Sequence, residues 1–392
     1  MRTIGAVLDS VADMRSLLVP LFGVVLLFGV VVVASGCTAA TESGGGVRSS
    51  ALSISFGDFV ADAELMVPGT EPAPLVVLVG GSGPEDRNGD DAGEGGTSRG
   101  HLFADIARAL ADQGFATLRY NKHYVHGIGD IDPRFGTELT MPQLVTDVHS
   151  AVAAGIRDPR IDPERIYLLG WSEGTTVVAA AAPGLPNVRG VILLGAVGIP
   201  WRDGLIAQWE RVVIPYLRDY AVDGSVGVAE LDRAWRAGPG VVVHELLGLL
   251  GAGTPAIESA FDPDGNGRID LTTELPSAAV SFIDAQLDGG IFRLYGSAST
   301  LPDVAAQAAA LRNIPVLTMH GEQDSNIPLS AATRIDQALA AHANPDHTLL
   351  TYPATGHSLG PAPDPAHDPL APIHSRPLTD LTNWLRAHQP TT

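Results

Sequence analysis

The chain has 392 residues, 45% of them hydrophobic, and 44 acidic side chains set against 24 Lys and Arg give a formal net charge of -20. That length suits one large α/β domain with an insertion, and so acidic a surface repels phosphate backbones, which argues against nucleic-acid binding. Gly (44) and Pro (29) are plentiful while charged residues make up only 17%; such a composition fits many short loops between buried elements and disfavours a helical bundle or coiled coil.

The first element is an uncharged apolar run, Leu17 to Ala34, preceded by Arg2 and Arg15. It predicts an export signal over residues 1–36. The four residues Ala34-Ser35-Gly36-Cys37 resemble the lipobox of bacterial lipoproteins, so Cys37 is the expected lipidation site, with an uncleaved membrane anchor as the alternative. Both readings put the chain outside the cytoplasm and attached to a membrane. Cys37 is also the only cysteine, so no disulfide can form within the chain. Residues 37–50 are small, polar and Gly-rich, the composition of a tether.

Ala51 to Val67 alternates as an opening antiparallel hairpin would. Five continuous apolar runs follow: Leu75 to Val79, Ala116 to Leu118, Ile166 to Leu169, Val191 to Leu194 and Val316 to Met319. Such runs predict strands covered on both faces. Helical segments at His101 to Gln113, Met141 to Ile156 and Glu173 to Ala182 lie between them, and strand-helix alternation with short connections predicts a mostly parallel sheet with helices on both faces. The rhythm stops after Gly198 and resumes near Asn313. Residues 200–312 are therefore expected to form a helical cap inserted between two parts of the core, 51–199 and 313–392. Trp201, Trp209, Tyr216, Tyr220 and Trp235 lie in it, either lining a pocket or packing the cap's own core.

The chemistry concentrates at strand ends. Gly170-Trp171-Ser172-Glu173-Gly174 directly follows one apolar run and precedes a small-residue helix, the context in which a sharp turn presents a nucleophilic serine. A serine hydroxyl needs a base, and the base an acid to orient it. Asp324 lies on the loop after Val316 to Met319, and His357 follows the last apolar run, Thr348 to Tyr352, giving the order Ser172, Asp324, His357. Glu322 is the alternative acid and His320 the nearest other histidine. Attack on a carbonyl develops an oxyanion that needs two N–H donors; the expected pair is the amides of Glu173 and Ser82, with Gly81 as alternative to Ser82.

With GGSGPEDRNGD at Gly80 to Asp90, LRYNKH at Leu118 to His123, GWSEG, GEQDSNIP and TGHS in place, the chain resembles bacterial α/β-hydrolases of the esterase, dienelactone-hydrolase and serine-aminopeptidase-like group. The resemblance implies the α/β-hydrolase fold, a triad of Ser172, Asp324 and His357, and acyl hydrolysis without a required cofactor. It also implies that Asp86 and Arg87 stabilise their loop. The sequence departs from the group at Asn121-Lys122-His123. A small-molecule ester is the expected substrate; the alternatives are a peptide, a thioester or acyl transfer, and, outside catalysis, a cell-surface binding module.

Inside the expected cap, Asp262, Asp264, Asn266, Arg268 and Asp270 match the opening of an EF-hand calcium loop, with Thr273 where a bidentate glutamate belongs. Asp219 to Glu230 is a weaker partner loop. The two readings are a structural calcium site and plain acidic Gly turns between helices.

Overall fold

The computed structural model of the chain describes residues 46–69, 71–92 and 98–389. The export segment, Cys37 and most of the expected tether lie outside the described residues. Among those described, no helix is long and apolar enough to cross a membrane.

The alternating stretch forms a hairpin of β1 (Val47–Ser55) and β2 (Val60–Pro68), paired antiparallel. Ala61, Ala63, Leu65 and Val67 of β2 point inward in the period-two pattern of a half-buried strand. Here the structure corrects the tether's boundary: Val47 to Ser50 pair with Pro68 to Leu65 and belong to the sheet.

The apolar runs become β3 (Ala73–Val79), β4 (Ala116–Tyr120), β5 (Ile161–Trp171), β6 (Val188–Leu194) and β7 (Val316–Gly321), with β8 (His347–Tyr352) at the edge. The sheet order is β1-β2-β4-β3-β5-β6-β7-β8. Only the β1–β2 and β2–β4 pairs are antiparallel; the other five are parallel.

Parallel neighbours require crossovers, and the sequence supplies α1 (Leu102–Ala111), α2 (Met141–Gly155) and α3 (Glu173–Ala181) before the insertion. Thr140 caps α2 through a reciprocal bond with Gln143, which satisfies donors that a helix start leaves open. The strands alternate between two cores. Leu75, Val77 and Val79 of β3 face α2 and α3, whereas Val76 and Leu78 face α1 and a C-terminal helix. Each such side chain, fully withdrawn from water, contributes roughly 1.5–3 kcal/mol.

Between β6 and β7 run α4 (Trp201–Gln208), a π-helical turn (Trp209–Val213), α5 (Ile214–Arg218), α6 (Val228–Arg236), α7 (Val241–Leu249) and α8 (Glu274–Leu287). These helices bury a hydrophobic cluster of their own, which takes up Trp209 and Tyr216, with Tyr220 and Trp235 packed against it. Trp201 is the exception. It stacks on Tyr295 at 4.1 Å, beside the main core. The chain then returns to the sheet through β7, α9 (Leu329–Ala341), β8 and α10 (Ser375–Ala387).

Candidate active site

Ser172 sits where β5 ends and α3 begins, with φ 52° and ψ -119°. A non-glycine residue held there stores about 1–3 kcal/mol of strain, and its surroundings are small enough to keep it so. A Cβ on Gly170 would run into the Gly174 carbonyl, and one on Gly174 into the Val79 and Gly80 carbonyls. The Ser172 amide donates to the Leu194 carbonyl at 2.9 Å, and its carbonyl accepts from the Thr175 amide and hydroxyl.

Asp324 and His357 come from the loops after β7 and β8. His357 Nδ1 and Asp324 Oδ2 lie 2.7 Å apart, both residues buried. The other carboxylate oxygen, Oδ1, accepts from the Asn326 and Ile327 amides, each at 2.8 Å, so the acid cannot rotate away. With Nδ1 facing a carboxylate, the imidazole carries its proton there and leaves a lone pair on Nε2. That Nε2 is buried and, among the described residues, makes no hydrogen bond, to Ser172 or to any other group. Glu322, the alternative acid, accepts instead from the Thr351 hydroxyl at the surface.

Burial alone raises the Asp324 carboxyl; the charge and hydrogen bond of His357, aided by His320 and the Ile327 amide, hold it below the ordinary carboxylate range. His320 lies under the pair, its Nε2 3.6 Å from Asp324 Oδ2 and donating to the Ile327 carbonyl at 3.1 Å. Burial lowers its pKa, against the pull of Asp324. A histidine whose folded pKa is depressed adds stability above its unfolded value of about 6.5, and that stability is lost as pH falls below it. Wild type should therefore lose melting temperature relative to His320→Gln as pH falls below about 6.5, and parallel melting curves would refute this.

Sequence reasoning missed Asp368, in the Pro-rich segment after His357. Its buried carboxylate accepts from the His357 amide (2.8 Å), the Ser325 amide (3.3 Å) and the Ser325 hydroxyl (3.1 Å). It thus joins the loop carrying the acid to the loop carrying the histidine. Arg211, in the π-helical turn, donates to the Ser325 carbonyl at 3.1 Å. Desolvation lowers its pKa, while Asp324 and Asp368 oppose the change.

Of the expected oxyanion donors, neither the Ser82 nor the Glu173 amide is bonded to an acceptor among the described residues. The alternative, Gly81, is taken: its N–H donates to Glu85 Oε2 at 2.8 Å. A polar cluster unseen in the sequence lies behind these donors. Lys122 pairs with Glu173 Oε1 at 3.0 Å and also donates to the Gly81 carbonyl, while Tyr295 donates to Glu173 Oε2 at 2.8 Å. Asp86 and Arg87 organise the same loop. Asp86 accepts from the Asn88 and Asp90 amides, and the Arg87 amide donates to Asn121 Oδ1 at 2.8 Å.

The acidic loop stands apart from this site. Val226 pairs with Ile269 in a two-stranded ribbon that links the two EF-hand-like stretches. Of the expected ligands, Asp262 and Asp264 converge with Glu274, their oxygens within 4.8 Å of one another. Asn266 stays with them, its side-chain amide donating to Asp264, whereas the Arg268 side chain bonds Ser225 and Glu230 and Asp270 accepts from the Thr272 and Thr273 amides.

Two family models match, one described as serine aminopeptidase, S33, over residues 94–242, the other as prolyl oligopeptidase family over residues 292–368. Esterase EstD of Thermotoga maritima is 36% identical over 159 residues, which cover 40% of this chain and 34% of that protein. The match thus spans about a third of that relative's length. Among solved structures, the proline iminopeptidase of Mycobacterium smegmatis is similar with a TM-score of 0.47 and 16% identity, covering 86% of this chain and 98% of that one. Est1E of Butyrivibrio proteoclasticus gives 0.42 and 15%, covering 86% and 97%. The two family models, matching on both sides of residues 243–291, and the stretch shared with Esterase EstD support the α/β-hydrolase superfamily, whose mostly parallel sheet is the one seen here.

Proposed function

We propose that the chain is a serine hydrolase that cleaves carboxylic esters through an acyl-enzyme, with Ser172 as nucleophile, His357 as base and Asp324 as the orienting acid. The observation that supports this most is the buried Asp324–His357 pair, whose imidazole packs 5.4 Å from the ring of Trp171, the residue just before a serine on a strained turn. Trp171 links the two directly, since the residue preceding Ser172 donates its indole N–H to the His357 carbonyl at 3.1 Å.

In this reading His357 Nε2 takes the hydroxyl proton as Ser172 Oγ bonds to the ester carbonyl carbon. The oxyanion so formed is held by the Ser82 and Glu173 amides. The carbon–oxygen bond to the leaving alcohol then breaks, and the alcohol departs with the proton from His357. Water repeats the sequence on the acyl-enzyme and releases the acid.

The name of the Thermotoga maritima relative supports an ester, whereas the names of both matching families support a peptidase as the second reading. A panel of nitrophenyl esters beside aminoacyl nitroanilides separates them. Ester kcat/KM should exceed that of every anilide by at least about tenfold, roughly 1.4 kcal/mol in transition-state binding. Anilide turnover outpacing all esters would replace the first reading by the second.

A further inference from the structure

Lys122 is the only lysine among the 392 residues; the other 23 of the 24 basic Lys and Arg side chains are arginines. A chain that uses arginine for every other such cation keeps a lysine at one place, and that place is buried. The Lys122 side chain is 6% exposed and the Glu173 side chain that it pairs with is 0% exposed. Taking an ammonium out of water costs several kcal/mol, which a single ion pair does not reliably recover. The third contact of the cluster indicates what the lysine does there.

The Lys122 ammonium donates to the Gly81 carbonyl. That carbonyl and the Ser82 N–H belong to one peptide unit, which is planar and trans, so the two groups point in opposite directions. Whatever fixes the carbonyl therefore fixes the N–H. The unit before it is held as well, because the Gly81 N–H donates to Glu85. Glu173, the partner of Lys122, supplies the second expected donor from its own backbone. One compact ammonium thus ties the Gly81–Ser82 peptide unit to the side chain of Glu173. Arginine has a planar head with its donors in a fixed fork, a geometry different from the compact point charge that meets a single carbonyl and a single carboxylate oxygen here.

We propose that Lys122 is the positioning residue of the oxyanion hole: by gripping the Gly81 carbonyl it turns the Ser82 N–H toward the carbonyl oxygen of a substrate bound at Ser172. The proposal rests on the serine-hydrolase reading above. It also gives Tyr295 a place, since its hydroxyl fastens the other oxygen of Glu173 while its ring stacks on Trp201 of α4.

The test uses the full chain, a nitrophenyl ester and a trifluoromethyl ketone, which adds to the serine as a tetrahedral oxyanion. Loss of an oxyanion donor lowers kcat by about 10²–10³-fold, so a misdirected donor in Lys122→Met should lower kcat by about 10–100-fold. KM should change less than threefold, and ketone affinity should weaken in parallel with kcat. A purely structural lysine would not couple those two quantities. Because Lys122→Met strands a buried carboxylate, the double variant Lys122→Met/Glu173→Gln, which removes both charges, carries the decision if the single variant does not fold. Lys122→Arg is expected to recover less than a tenth of the lost kcat. A folded double variant with kcat and ketone affinity within threefold of wild type would overturn the proposal. Wild type that neither turns over any ester or anilide nor reacts at Ser172 would instead overturn the hydrolase reading beneath it.

Discussion

Ser172→Ala should lower ester turnover by about 10⁴–10⁶-fold, and His357→Ala by a similar factor, because the two side chains act as one unit. The Ser172→Ala/His357→Ala double variant should be no slower than either single variant. Such non-additivity distinguishes a shared proton-transfer step from two independent contributions to binding. Ser172→Ala should fold as wild type does, because the serine's place on the turn depends on Gly170 and Gly174, whereas His357→Ala strands the buried Asp324 Oδ2 and should melt at a lower temperature. Thermal melts of the variants beside a turnover assay check both halves. Losses that multiply in the double variant would count against the shared step.

Asp368→Ala should have the largest effect on stability. It leaves three buried donors, the His357 amide, the Ser325 amide and the Ser325 hydroxyl, without their acceptor. At roughly 1–3 kcal/mol for each unsatisfied group, the expected loss is about 3–9 kcal/mol. Activity should also fall more than tenfold in whatever folded protein remains, since displacing a catalytic group by about 1 Å can cost 10²-fold. Asp368→Asn, which keeps one acceptor oxygen in place, should lie between wild type and Asp368→Ala in both respects. Denaturant unfolding and kcat measured on the same samples test this; a stability change below about 1 kcal/mol in Asp368→Ala would refute the bridging role.

The contrast between Ser172 and Asp368 shows what the sequence makes legible. Parallel strands write themselves as continuous apolar runs because both faces are covered, so the core strands and the helices between them can be read in order. Ser172, Asp324 and His357 are legible for a related reason: each lies in a short motif of small and turn-forming residues just after such a run. Asp368 sits in a Pro-rich segment with no periodicity. Its partners are the preceding loop and Ser325, 43 residues away. Lys122 was visible only as a departure in LRYNKH, and its meaning depends on Glu173, 51 residues on. Tyr295 reaches Glu173 across 122 positions. Local spacing carries no record of such contacts.

The aromatic residues of the insertion had two readings from sequence. Its helices cannot all bury their apolar faces against the sheet, so Trp209, Tyr216, Tyr220 and Trp235 go to a second cluster. Trp201 instead stacks on Tyr295, whose hydroxyl donates to Glu173. The hairpin was underestimated at its start because Arg48, Ser49 and Ser50 are small or polar and read as linker, although their backbone groups complete the ladder with β2.

Peptide mapping by mass spectrometry after treatment with a fluorophosphonate tests the central chemistry most directly. One phosphonyl adduct is expected, on the peptide containing Ser172, with labelling slowed at least about 10²-fold in His357→Ala. An adduct confined to another residue, or ester turnover that persists undiminished in Ser172→Ala, would contradict the assignment of Ser172 as nucleophile.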